Sequence, residues 1–214
     1  MSKTVEIDVV SDVMCPWCLV GSARLDQALA AFPEVRARGT YHPFLLDPSI
    51  PPEGQDLRER LQRKYGLDPN TMFVRVEQAA RDSGVPLDFS KVSRVVSTVA
   101  AHTLARHAAG RGTQRALVRA LFDAYFLEGR DVSDPAVLAS LASRHGFSED
   151  EARRLATDED ELEATRIEAA GMAAQGITGV PFFVFDGAVA VNGAQSVETL
   201  KGVLTSLLGD GPRP

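Results

Sequence analysis

Residues 9–20, Val-Val-Ser-Asp-Val-Met-Cys-Pro-Trp-Cys-Leu-Val, connect an extended segment to a helix. Apolar and polar side chains alternate over residues 5–10, which predicts a β-strand. Apolar side chains then recur at helical spacing, at Leu25, Leu29 and Phe32. Pro16 suits the first position of this helix, because its missing N–H would have no partner there. The sequence therefore predicts that a C-x-x-C pair lies at a strand-to-helix junction.

Cys15 and Cys18 are the two cysteines of this 214-residue chain. A chain of this length can bury a core without cross-links, and a disulfide across so short a loop would stabilise it little. A four-ligand zinc site would need a second pair. At a helix N-terminus Cys15 can become a nucleophilic thiolate, and Cys18 can resolve the mixed disulfide. We predict a redox pair; the alternatives are two buried core cysteines or half of a metal site.

A second signal precedes the apolar run Phe182–Phe185, where the sequence reads Gly179-Val180-Pro181. Proline is tolerated at the first residue of a strand. In a protein with a C-x-x-C pair, a cis Pro181 would bring the main chain of Val180 beside the active sulfur. That main chain could then pair with an extended substrate peptide. The alternative is an ordinary trans proline at the start of a strand.

The remaining patterns divide the chain into two parts. Residues 35–46 predict a second strand, and residues 55–175 are almost entirely helical in pattern. A hairpin with an Asp186-Gly187 turn follows, and Ser196 is placed to cap a final helix. We therefore predict an α/β fold with a mixed β-sheet flanked by helices, and a large all-helical insertion. The sheet domain would comprise residues 1–54 and 176–214, and the insertion residues 55–175. The last residues, 210–214, are expected to fray.

Composition excludes several classes of protein. The net charge is −6 and basic residues are scattered among acids, so we expect no nucleic-acid partner. No apolar run approaches the ~20 residues of a membrane span, and the N-terminus lacks a signal-peptide pattern. We therefore expect a cytoplasmic protein without a membrane partner, either a monomer or a homodimer. No metal site is expected, because the four histidines show no ligand spacing: His42, His102, His107 and His145.

The sequence resembles the DsbA-like branch of the thioredoxin superfamily, and within it the FrnE-like members. The resemblance covers essentially the whole chain. It rests on Ser11–Cys18 and Gly176–Phe183, with weaker matches at Ala101-His102, Leu121–Phe126 and Asn192–Gln195. It implies a thioredoxin-like fold with a helical insertion, a nucleophilic Cys15, a resolving Cys18 and a cis Pro181. It also implies exchange with protein or small-molecule thiols and disulfides.

The resemblance, together with the residues between the cysteines, predicts which side chains bind substrate. Trp17 could form an apolar platform on the active face or pack on the inserted helices. His102 could line the active-site groove or be a satisfied helix histidine. The predicted substrate-binding residues are Pro16, Trp17, Val180, Pro181 and His102.

Trp17 bears on the direction of exchange. A cationic residue between the cysteines would stabilise the thiolate and make the disulfide more oxidising, whereas an indole does not. We therefore predict a lower potential than in strongly oxidising relatives, and a reductase or isomerase in the cytosol. No tightly bound cofactor is expected, and glutathione is a candidate redox partner.

The same branch holds glutathione-dependent relatives, the kappa-class glutathione transferases and 2-hydroxychromene-2-carboxylate isomerases. Their motif typically has serine where this chain has Cys15. The alternative function is therefore a glutathione-dependent isomerase or transferase that acts on a small aromatic compound. The presence of both cysteines favours dithiol chemistry.

Overall fold

The computed structural model describes residues 3–209. The predicted fraying of residues 210–214 lies outside this range. The strands are β1 (Lys3–Ser11), β2 (Val35–Pro43), β3 (Gln55–Asp56), β4 (Arg94–Val95), β5 (Phe182–Phe185) and β6 (Val189–Asn192). The helices are α1 (Pro16–Ala30), α2 (Leu57–Tyr65), α3 (Pro69–Asp82), α4 (Val99–Ala109), α5 (Gln114–Phe122), α6 (Pro135–Ala142), α7 (Glu149–Thr157), α8 (Glu159–Ala174) and α9 (Val197–Gly209).

A mixed sheet of four strands carries the cysteine motif. Its order is β2-β1-β5-β6, with β1 parallel to β2 and antiparallel to β5. The alternating apolar residues predicted for β1 are buried against α1 and α9; they are Val5, Ile7 and Val9. Phe183 and Phe185 of β5 complete this core. The predicted α/β fold is confirmed. Strand β1, which lies inside the sheet, precedes α1 in the chain.

Local signals place the turns and caps where the sequence predicts them. Asp186 and Gly187 have φ angles of 48° and 64°, the left-handed conformation that both central residues of a type I′ turn require. The hydroxyl of Ser196 accepts a hydrogen bond from the amide of Thr199 at 3.1 Å, which caps α9. These elements fix the β5–β6 hairpin next to β1.

The segment between the sheet halves is helical, with two departures from the predicted pattern. Strands β3 and β4 form a two-residue antiparallel ladder within it. After α5 the chain continues as a π-helical turn, Asp123–Leu127. In this turn Tyr125 is buried and its hydroxyl donates to the carbonyl oxygen of Arg94 at 2.8 Å, which joins the turn to β4. The division into residues 1–54 with 176–214 and residues 55–175 stays a prediction.

At the edge strand β2, a side chain from α5 bonds the main chain of one residue, Tyr41. The amide oxygen of Gln114 accepts from the Tyr41 main-chain N–H at 2.9 Å, and its amide nitrogen donates to the Tyr41 carbonyl at 2.8 Å. The side chain of Gln114 thus pairs with β2 as a neighbouring strand would. This contact ties a helix of the insertion to the sheet.

Gly21 allows α1 to approach the loop that leads into β5. A Cβ atom at this position would lie 2.8 Å from Pro181 Cγ and 3.3 Å from Phe183 Cζ. We expect Gly21→Ala to lower the free energy of unfolding by about 1–2 kcal/mol, since overpacking outweighs a helix-propensity gain of about 1 kcal/mol. Urea denaturation measures this difference.

Gly202 in α9 supplies the control, because a Cβ there would meet nothing within 4 Å. Gly202→Ala should therefore raise the free energy of unfolding by about 0.5–1 kcal/mol. Equal stabilisation by both substitutions would contradict the close approach of α1 to Pro181.

Candidate active site

Cys15 is the N-cap residue of α1. Its backbone is extended, and its carbonyl accepts from the Cys18 and Leu19 amides at 3.0 and 3.3 Å. Pro16 occupies the first helical position as predicted, and no side chain caps the helix. No acidic residue lies in the first turn. The Cys15 side chain therefore extends from a helix N-terminus whose dipole favours negative charge.

Pro181 follows a cis peptide bond from Val180, as predicted. The thiol of Cys15 donates to the carbonyl oxygen of Val180, with the sulfur at 3.6 Å from it. Pro181 itself is buried, whereas Val180 is half-buried. Two residues 165 positions apart in the chain thus meet at the Cys15 sulfur.

The two cysteines differ in environment. Cys15 is 4% exposed and Cys18 is fully buried in the core of the inserted helices. Burial raises the pKa of the Cys18 thiol well above its ordinary value, and its hydrogen bond to Cys15 and the charge of Cys15 raise it further. Both are free thiols in this structure. Negative charge is consequently disfavoured on the inner sulfur.

Asp12 holds the turn that precedes Cys15. Its carbonyl oxygen accepts from the Cys15 amide at 2.9 Å, and its carboxylate Oδ1 accepts from the Met14 amide at 3.3 Å. The side chain of Asp12 is fully buried. One residue therefore fixes the backbone of the turn through both its main chain and its side chain.

The Asp12 carboxylate also accepts hydrogen bonds from residues that are distant in the chain. The hydroxyl of Thr98 donates to Oδ1 at 2.8 Å, and the Leu46 amide donates to Oδ2 at 2.8 Å. His102 lies on α4 with its Nε2 at 3.3 Å from Oδ1, and it is 5% exposed. These contacts join the loop after β2 and the start of α4 to the cysteine turn.

The structure thus places His102 behind the motif, where it contacts Asp12. This geometry favours the satisfied-histidine alternative over direct contact with a substrate. Trp17 is half-buried and packs against the core of the inserted helices. The guanidinium of Arg75 on α3 lies 5.9 Å from the Trp17 ring centroid, within cation–π range. Pro16 is also partly exposed at the start of α1.

A cavity of about 680 Å³ lies between α8, the start of α4 and the loop after β2. Leu45 and Ser97 in its wall are the chain neighbours of Leu46 and Thr98, which bond Asp12. Its lining is mostly apolar: Phe44, Leu45, Pro48, Ile50, Val99 and Leu162 are among the residues. The volume lies within the range of small-molecule sites.

Among residues 3–209, no group of three or more histidine, cysteine, aspartate or glutamate side chains is arranged to hold a metal ion. In the same part of the chain, no helix is long and apolar enough to cross a bilayer.

A mixed sheet, a C-x-x-C pair at the start of α1 and a cis proline against the first cysteine together define a thioredoxin-like oxidoreductase fold. The chain belongs to the DSBA-like thioredoxin domain family, whose sequence profile matches residues 6–205. The protein is an oxidoreductase of this family.

Solved structures agree with this assignment. A probable DsbA oxidoreductase from Streptomyces coelicolor is 32% identical, with a TM-score of 0.86 over 98% of this chain and 92% of that chain. The cytosolic disulfide reductase DsbM from Pseudomonas aeruginosa, solved with GSH, is 20% identical, with a TM-score of 0.65 over 96% of this chain and 100% of that chain. A 2-hydroxychromene-2-carboxylate isomerase is 14% identical, with a TM-score of 0.73 over 95% of this chain and 96% of that chain. The last two likenesses concern the fold alone.

Sequence reasoning missed most of the partners of Asp12. Thr98 and Leu46 lie 86 and 34 positions away from it. Neither residue stands in a motif, and Leu46 contributes only a main-chain amide. The available signal is Asp12 itself, an acidic residue directly after a buried strand, which needs polar partners.

The raised pKa of Cys18 predicts a pH dependence of stability in the reduced protein. Below about pH 8.5 the thiol is protonated in both folded and unfolded chains, so its contribution is fully present. Above that pH the unfolded chain loses its proton first, because the folded pKa is the higher one. The free energy of unfolding should then fall by up to about 1.4 kcal/mol per pH unit, until Cys18 also ionises in the folded protein.

Urea denaturation of reduced wild type and Cys18→Ala between about pH 8 and 10 measures this slope. The substitution should reduce the fall in the free energy of unfolding with rising pH. Any packing that it removes lowers stability equally at every pH. Parallel pH profiles for the two proteins would show that Cys18 titrates alike in the folded and unfolded states.

Proposed function

We propose that the protein is a thiol–disulfide oxidoreductase that works as a reductase or isomerase through Cys15 and Cys18. The carrying observation is the asymmetry of the pair. Cys15 lies at an uncapped helix N-terminus against Val180, while Cys18 is fully buried with a raised pKa. Such an arrangement favours attack by the outer sulfur and resolution by the inner one.

The reaction conserves atoms and electrons in two exchanges. The Cys15 thiolate attacks one sulfur of a substrate disulfide, forms a mixed disulfide and releases the other substrate sulfur as a thiolate. Cys18 then loses its proton and attacks Cys15 Sγ, which forms the Cys15–Cys18 disulfide and releases the second substrate thiol. Two electrons pass to the substrate, and two external thiols must reduce the protein again.

The carbonyl of Val180 supplies a docking point for substrate. It faces the nucleophile, and it can accept from an N–H of an extended peptide or of a small peptide-like thiol. In the proposal Pro181 positions this carbonyl, and Pro16 and Trp17 at the start of α1 contact the substrate. Trp17 and Arg75 would offer an apolar face with a cation beside it.

The reducing direction and a cytoplasmic location are part of the proposal. The indole of Trp17 provides no positive charge between the cysteines, and the buried Cys18 disfavours a second thiolate. Glutathione is the proposed external thiol. The likeness to DsbM, a cytosolic reductase solved with GSH, supports this choice of partner and compartment.

Trapping tests the assignment of the two cysteines. With Cys18→Ala, a mixed disulfide between Cys15 and a model disulfide such as insulin should persist, because no inner thiol resolves it. Mass spectrometry of the conjugate gives its attachment site. Cys15→Ala is the matched control and should neither trap the substrate nor catalyse insulin reduction above background.

An outcome in which Cys15→Ala traps insulin through Cys18 would contradict the proposed roles. Equal insulin reduction by wild type and Cys15→Ala would contradict the function itself.

The cavity of about 680 Å³ favours a second candidate, a glutathione-dependent isomerase or transferase for a small aromatic compound. The isomerase with the same fold is consistent with this possibility. In that case glutathione would bind and turnover of the aromatic substrate would survive Cys18→Ala, whereas dithiol reductase turnover would not.

A further inference from the structure

Arg75 lies on α3, one of the inserted helices, which packs against α1. The apolar face of α3 is buried at Phe73, Val76 and Ala80, whereas Arg75 is exposed. Its guanidinium lies 5.9 Å from the centroid of the Trp17 ring, within cation–π range. An exposed cation therefore lies beside the indole that separates the two cysteines in the chain.

The guanidinium of Arg75 makes no ion pair within residues 3–209. Other helical arginines of this protein pair with an acid one turn away, as Arg153 does with Glu149. The positions one turn from Arg75 hold no acid; they are Thr71, Met72, Gln78 and Ala79. Its N–H donors are consequently available to a carboxylate from outside the described chain.

We propose that Arg75 is a substrate-binding residue that selects polypeptide disulfides with acidic residues next to the reacting cysteine. This inference rests on the proposed function. An extended peptide paired with the Val180 carbonyl presents its cysteine to Cys15, and each further residue lies about 3.3 Å along the peptide. The Trp17 ring contacts the apolar stem of an adjacent acidic side chain, and the Arg75 guanidinium binds its carboxylate through two parallel hydrogen bonds.

The Trp17 ring strengthens an ion pair that would otherwise contribute little. Water screens an exposed pair, and holding two long side chains in one geometry costs conformational entropy. The ring covers one side of the guanidinium and restricts its movement, so less entropy is lost when a carboxylate binds. A neutral side chain at the same position in the substrate gains nothing from this arrangement, and a lysine is repelled.

Single-turnover kinetics with three synthetic peptides test this inference. Each peptide is capped at both ends and carries one cysteine as a mixed disulfide with 2-thiopyridine, flanked by glutamates, by glutamines or by lysines. Attack by the Cys15 thiolate of the reduced protein on the peptide sulfur breaks this disulfide and releases thiopyridone, whose absorbance gives the second-order rate constant. The ratio of the glutamate to the glutamine rate constant should be about fivefold higher in wild type than in Arg75→Gln, the upper range for an exposed ion pair.

Two comparisons separate binding by Arg75 from other effects. A change in the reactivity of Cys15 would alter all the rate constants by one factor and leave the ratio unchanged. Arg81→Gln is the matched control, because it removes the same charge from an exposed position of α3, where Arg81 bonds Gln78. This variant should keep the wild-type ratio. In wild type the preference for glutamate should also weaken as salt is added.

An unchanged ratio in Arg75→Gln, or an equal fall in Arg81→Gln, would overturn the proposal. The mixed disulfide of glutathione with 2-thiopyridine, measured alongside, represents a small peptide-like substrate. An effect of Arg75→Gln confined to that compound would also count against selection of acidic polypeptides. If reduced wild type releases thiopyridone from none of these compounds, the proposed function fails rather than the role of Arg75.

Discussion

The hydrogen bonds of Asp12 are the constraint on which the active-site geometry depends. This residue directly follows β1, and its carbonyl accepts a hydrogen bond from the Cys15 amide. Its carboxylate receives donors from the loop after β2 and from the start of α4. The sheet, the loop and the inserted helices therefore meet at one buried side chain. Movement of any of the three would displace the turn that positions Cys15.

A second consequence of this arrangement is the unequal setting of the two sulfurs. Cys15 lies at the N-terminus of α1, facing Val180, while the inserted helices cover Cys18. The inserted helices thus supply the burial that raises the pKa of the Cys18 thiol. Gly21 and Pro181 complete the arrangement by letting α1 lie close to the loop before β5.

The sequence predicts those features that depend on local chemistry. The strand-to-helix junction, Pro16 at the first helical position, cis Pro181, the Asp186-Gly187 turn and the Ser196 cap all agree with the structure. Each of them is encoded by a few adjacent residues, or by a motif and its partner. The patterns of apolar residues also predict the mixed sheet and the helical character of the segment between its halves.

The features that the sequence does not reveal depend on contacts between distant residues. Three of these features follow from packing. They are the hydrogen bond from Thr98 to Asp12, the bonds of the Gln114 amide to the Tyr41 main chain, and the close approach of Gly21 to Pro181. The π-helical turn at Asp123–Leu127 carries the apolar spacing of a normal helix, so its sequence pattern does not distinguish it. His102 is a similar case: only its burial and its contact with Asp12 separate a positioning role from a place in a substrate groove.

A glutathione redox titration of the wild-type protein, with peptide mapping of the oxidised form, tests the account most directly. Trp17, the only tryptophan, lies between the cysteines and can report the transition by fluorescence. The account predicts one two-electron transition, a Cys15–Cys18 disulfide in the oxidised protein, and a potential clearly more negative than about −120 mV. Failure to form this disulfide at any glutathione ratio would contradict a redox role for the pair. A potential near −120 mV would contradict the reducing direction.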